Sequence, residues 1–213
     1  MLDVGFTRSQ LESFRGGTLP DLLGPSVRLL FVGINPGLLT VATQSHFGRR
    51  GNRFYPALFR AGVIDHVIDA AEGFAPEDVA HLLERGLGIT NLVARASARA
   101  DELNAEELMT GARELERRVE RLDPGVVAIL GITAYRTAFG RRRAVSGHQP
   151  ETLGGSPLWV VPNPSGLNAH ASVASLGAAY REVAIAAGID VYPVPPDPRG
   201  TPDPPDSRLK ANM

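Results

Sequence analysis

The chain has no cysteine among its 213 residues. Disulfide frameworks, thiolate nucleophiles and cysteine-held metals are excluded by that absence alone. The five histidines, at positions 46, 66, 81, 148 and 170, show no HExxH or comparable ligand spacing, so no metal and no cofactor is expected. There is a single lysine, Lys210, and arginine supplies the rest of the 22 basic residues. No apolar run approaches the roughly 20 residues of a membrane helix. The opening MLDVGFTRSQ carries an acid where a secretory leader has a basic region, and no long apolar core follows it. The expectation is a cytoplasmic protein with no membrane partner. GxSxG and the P-loop pattern are also missing, which removes two common hydrolase plans.

What is present describes a globular chain. Hydrophobic content of 43% and charged content of 21% are those of a soluble domain, and the length suits one core. The net charge of −1 conceals clusters. Arg49, Arg50 and Arg53 lie close together, as do Arg141, Arg142 and Arg143, while Asp65, Asp69, Glu72, Glu77 and Asp78 gather elsewhere. A near-neutral protein with local arginines can hold a polyanion on one face. Each cluster taken singly also reads as a solvated loop.

Along the chain, short apolar runs ending in glycine- or asparagine-rich turns read as strands buried on both faces. They occupy residues 27–32, 88–93, 126–130 and 158–161. Helical stretches are expected at 53–61 (with Asn52 as cap), 76–85, 104–122, 133–139 and 172–187. Residues 33–51 are left as one long loop, a length that tends to be functional. Alternating strands and helices predict an α/β fold, a three-layer α/β/α domain around a four-stranded, mainly parallel sheet. Residues 1–18 are expected to be a poorly ordered lead-in with room for one short helix, 19–191 the single domain, and the proline-rich 192–213 a disordered tail.

The polar turns after the strands converge on one edge of such a sheet, where α/β folds place their chemistry. Two turns stand out: Gly33-Ile34-Asn35-Pro36-Gly37 and Pro162-Asn163-Pro164-Ser165-Gly166-Leu167-Asn168. An asparagine amide offers an acceptor and two donors in one plane, suited to reading a base edge or holding a water. Phe47, alone in a polar loop, is either a plug on the core or a stacking platform. Leu167 is either a small plug or a wedge for a base stack.

These motifs, with Asn52-Arg53-Phe54 between them and Phe47 just before, resemble the mismatch-specific uracil-DNA glycosylases, the family that includes the thymine-DNA glycosylases. The resemblance covers roughly residues 19–188 by its motif-bearing elements. It implies a monofunctional, monomeric DNA N-glycosylase that flips uracil or a related pyrimidine from a mismatched duplex and leaves an abasic site. It implies that Asn35 positions the attacking water. It implies that Gly33, Ile34, Pro36, Gly37, Thr40, Phe47, Asn91 and Asn163 form the base pocket. Arg53, Pro164, Ser165, Gly166, Leu167, Asn168 and His170 would meet DNA. No lysine lies in either motif, so no Schiff-base lyase step is implied.

Asn35 cannot take a proton from water. Asp101, in the loop after the second strand, is the candidate carboxylate; its other reading is a helix cap, in competition with Asn104. The wedge loop departs from the family pattern, with Asn168, Ala169 and His170 where a small polar residue and an arginine are common. Strict dependence on guanine opposite the lesion is therefore expected to relax. A hydrolase built on Ser165 and His170 lacks an acidic partner. The alternative to the enzyme is a non-catalytic nucleic-acid binding module of the same fold.

Overall fold

The computed structural model describes residues 5–168 and 171–193. Its centre is a five-stranded sheet in the order β2-β1-β3-β5-β4. Strands β1 (Leu29–Gly33), β2 (Leu87–Asn91), β3 (Val126–Leu130) and β5 (Ser156–Val161) are mutually parallel. β1, β2 and β3 are buried along their whole length. Leu29 and Phe31 point into a core shared with Phe54, Leu58, Leu82 and Tyr180, while Leu30 and Val32 enter the other with Leu115, Val119 and Tyr135. The strict two-residue alternation therefore fills both faces.

One layer of helices consists of α3 (Phe54–Arg60), α4 (Pro76–Glu84) and α7 (Val173–Ala186); the other contains α5 (Ala105–Leu122) and α6 (Ile132–Ala138). α5 starts at Asn104, whose side chain and that of Glu107 cap each other's backbone N–H groups. The cap is thus Asn104, and Asp101 sits before it in a single turn of 3-10 helix, Ala100–Glu102.

Two expectations need correction. The sheet has five strands, because β4 (Gly147–Leu153) adds an antiparallel edge to β5 across the Gly154-Gly155 turn. Residues 33–51 are not one loop, since α2 (Leu38–Thr43) lies inside them. The lead-in holds one short helix, as its sequence allows: α1 (Arg8–Glu12), capped by Thr7, with Leu11 and Phe14 packed against Leu38, Val41 and Ala96. At the other end, Tyr192 N–H donates to the Gly62 carbonyl at 2.7 Å, so the chain is still attached one residue past the expected boundary. Most of the expected tail lies outside the described residues, and among the described residues no helix is long and apolar enough to cross a membrane.

Both sheet edges are interrupted. β4 carries Pro150 and a register shift between His148 and Thr152. β2 is bridged from outside by Leu22, which exchanges backbone hydrogen bonds with Ile89 at 2.9 and 2.8 Å.

Candidate active site

The carboxyl ends of the parallel strands open into a cavity of about 400 Å³, within the range of small-ligand sites. Gly33, Ile34, Asn35, Pro36, Gly37, Thr40, Phe47, Asn91 and Asn163 all line it, and so does Asp101. Ser165, Leu167 and Asn168 border it, whereas Arg53, Pro164 and Gly166 do not. His170 lies outside the described residues.

The loops after β1 and β2 leave the sheet together. Their ladder continues past the strand ends through Leu92 N–H to Gly33 O, Val93 N–H to Ile34 O and Ser97 N–H to Pro36 O, at 2.8, 2.9 and 3.2 Å. This pairing presents Asn35 to the second loop. Its Nδ2 donates to Ser97 Oγ at 2.8 Å and to the Arg95 carbonyl at 3.1 Å. Ser97 spends its own hydrogen on the Arg99 carbonyl at 2.6 Å, so towards Asn35 it can only accept. Both amide hydrogens are thereby committed, and a flipped amide would set oxygen against a carbonyl. Asn35 Oδ1 has no hydrogen bond among the described residues and lies on the cavity wall as a fixed acceptor. Arg95 is itself pinned to both oxygens of Glu107, a pairing that holds the Glu107 carboxyl down at about 2.

Phe47 is half-buried and adopts a left-handed backbone, φ 56°, an unusual state for a bulky residue. Its surroundings impose it. Tyr55 OH donates to the His46 carbonyl at 2.8 Å, His46 Nε2 meets the Pro20 carbonyl at 3.0 Å, and Ser45 Oγ donates to Ala70 O at 2.7 Å. Burial pushes the His46 imidazole below its ordinary value, so it stays neutral with the proton on Nε2. One face of the Phe47 ring stacks on Phe54, with centroids 4.1 Å apart. Phe47 therefore packs on the core and also lines the cavity.

Asn91, only 9% exposed, ends β2 with a side-chain amide that makes no hydrogen bond among the described residues. A Cβ added to Gly33 would come within 2.5 Å of Asn91 Oδ1 and 3.3 Å of the Phe47 ring, so the glycine makes room for both. Across the cavity, Asn163 Oδ1 accepts from Ser165 N–H at 2.9 Å, and its Nδ2 makes no hydrogen bond among the described residues.

Arg53, an expected DNA contact, holds a loop from within. Its guanidinium donates to the carbonyls of Ser165, Asn168 and Ala171, and its backbone N–H donates to Pro164 O at 3.0 Å. Gly166 completes the join, since a Cβ there would meet Gly51 O at 2.8 Å. The segment 51–53 and the loop 164–168 are thus one welded unit, with Leu167 standing out at 72% exposure.

Asp101 borders the cavity with both oxygens engaged by Arg99, at 3.0 and 2.6 Å. Sequence reasoning did not single out Ser97 or Arg99. Their only signal was membership of the loop after β2, since Ser97 is 1% exposed and gains its role through a partner far away in the chain. Arg49 also borders the cavity and is exposed.

The family model described as Uracil DNA glycosylase superfamily matches residues 20–186. Among solved structures, the chain is similar to a candidate uracil DNA glycosylase from Methanosarcina acetivorans determined by solution NMR. The match has a TM-score of 0.52 at 16% identity and covers 79% of this chain and 98% of that one. At that identity the likeness speaks for the fold.

Proposed function

The chain belongs to the uracil DNA glycosylase superfamily, and within it we propose a monofunctional enzyme that removes uracil from mismatched double-stranded DNA by hydrolysing the N-glycosidic bond. The observation that carries this reading is the asymmetric commitment of Asn35, with both amide hydrogens tied into the scaffold and Oδ1 left open on the cavity wall. The flipped uracil stacks on the open face of Phe47. Asn91 and the Nδ2 of Asn163 supply amide groups to its polar edge. Leu167 fills the gap left in the duplex.

The bond to the anomeric carbon breaks with positive charge building on the sugar and negative charge on the leaving base. Oxocarbenium-like sugars react with a weak, well-placed nucleophile, so a water held by Asn35 Oδ1 suffices without a strong base. The water's proton is lost after attack, to solvent or to Asp101. Amide N–H groups at the base edge stabilise the departing uracil anion. With no lysine in either Asn-Pro motif, the product is an abasic site and not a Schiff base.

The test is a duplex with one uracil opposite guanine, incubated with excess protein and then treated with alkali. Strand cleavage that disappears in Asn35→Ala, with duplex binding retained, supports the enzyme. Binding without cleavage by the wild-type chain refutes it and favours a non-catalytic module. The same assay addresses the opposing base: similar rates opposite guanine and adenine support relaxed dependence, and a large guanine preference overturns it.

A further inference from the structure

A second cluster of titratable groups lies away from the cavity. Asp65 and His66 occupy the turn after α3, and Asp78 and His81 lie on α4. Among the described residues, one ligand atom from each of Asp65, His66 and His81 falls within 4.8 Å of the others. None of these residues lines the cavity.

The hydrogen bonding within the cluster is incomplete. A carboxylate only accepts, so the 2.7 Å contact between His66 Nε2 and Asp78 Oδ1 puts the ring proton on Nε2. Asp78 sits in the first turn of α4, largely buried. In a neutral ring the Nδ1 of His66 is then a lone pair, yet it faces Asp65 Oδ1 at 2.6 Å. Two acceptors at that distance need a positive charge with them. A proton on Nδ1 would settle this pair. It would leave the third member unexplained: His81 Nε2 is buried, lies 3.3 Å from the same Asp65 oxygen, and makes no hydrogen bond. One cation set among the three atoms satisfies all of them.

We propose that Asp65 Oδ1, His66 Nδ1 and His81 Nε2 bind a divalent transition-metal ion of the zinc class, with Asp78 orienting His66 from behind. Two imidazoles and a carboxylate are the donor set that zinc accepts, with a water in the fourth position. Bonds of about 2.0–2.1 Å in a tetrahedron put ligand atoms roughly 3.3 Å apart. The His81–Asp65 edge already has that length. The His66–Asp65 edge, now 2.6 Å, opens by about 0.7 Å to reach that length, which two half-exposed side chains on a turn permit. A carboxylate behind a ligating imidazole is the usual support for such a site. The ion would tie the turn that buries Ile64 and Ile68 to the helix that buries Leu82.

The test uses the full chain without a polyhistidine tag, stripped with chelator and then titrated with Zn²⁺ by calorimetry and with Co²⁺ by visible absorption. The expected result is one saturable equivalent, a Co²⁺ spectrum of low coordination number that Zn²⁺ bleaches, and an unfolding midpoint that rises with Zn²⁺ concentration. Asp78→Asn should weaken Zn²⁺ binding about 10- to 100-fold, and His81→Gln by more. Uracil excision should be unchanged in both. Asp65→Asn, on the exposed turn, provides the same test if His81→Gln does not fold. No saturable binding up to millimolar Zn²⁺ overturns the proposal, as does equal affinity in the variants, which would place the ion on another histidine.

Discussion

Replacing Arg53 with alanine separates two jobs that a cation on a DNA-binding protein can do. The structure commits its guanidinium to three carbonyls of the loop that carries Leu167. Hydrogen bonds to a charged donor contribute roughly 1.5–3 kcal/mol each when buried. The loop borders solvent, and water replaces part of what is lost, so about 2–4 kcal/mol of loop order is at stake in total. If Leu167 must be presented in one geometry for the base to stay flipped, that loss appears in the single-turnover rate. At about 1.36 kcal/mol per tenfold, excision slows roughly thirty- to a thousandfold. A phosphate contact would act differently. Its removal would weaken binding to all duplexes and lower the slope of log affinity against log salt by about 0.9. The assay pairs single-turnover excision with binding of an undamaged duplex across a salt series. The expected outcome is a large rate loss with the salt slope unchanged; a slope reduced by about one, with excision intact at saturating protein, would refute the scaffold role.

Four further outcomes are expected. Ser97→Ala removes the nearest of the acceptors that orient Asn35, a loss of about 1 kcal/mol, and should lower kcat roughly 5-fold with KM unchanged; a change confined to KM would contradict the positioning role. Phe47→Ala removes a stacking surface worth roughly 1–3 kcal/mol per base, so the half-saturating concentration in single-turnover excision should rise between about 5- and 150-fold. Burial holds the His46 imidazole below the ordinary 6.5, so the unfolded chain takes up the proton first as pH falls. Its contribution is intact above 6.5 and is lost below it, and thermal unfolding of wild type minus His46→Gln should show that acid-side decline. Taking the difference isolates it from His66, whose imidazole is held up by Asp78 and Asp65 and works in the opposite sense. Asp101→Asn should slow uracil excision if the carboxylate leaves Arg99 to accept a proton from water, and unchanged single-turnover rates would remove it from the mechanism.

The parallel strands were legible because each is a short, continuous apolar run, which only a sheet covered on both faces demands. β4 was not legible: GHQPETL contains a proline and alternates polar with buried positions, as an edge strand does. Its one clear signal was the Gly154-Gly155 pair, a hairpin turn. The residues lining the cavity were largely legible through the two Asn-Pro turns. What the chain order concealed was how they are held. The orientation of Asn35 depends on Ser97 and Arg95, contributed by a different strand end. Arg53 was visible as a cation, but its carbonyl partners become neighbours only after folding. Asp101 was weighed as a helix cap, and the capping pair turned out to be Asn104 and Glu107.

The interrupted sheet edges bear on how the protein behaves when crowded on a long polyanion. An open edge strand is a template on which a neighbouring chain can add its own backbone. Here one edge lacks a donor at Pro150 and loses register beside it, and the other already has its central residue, Ile89, bonded to Leu22. Copies brought close together find no continuous ladder to extend. Fusion of adjacent sheets is blocked at both ends by backbone chemistry, whatever charge the surface carries.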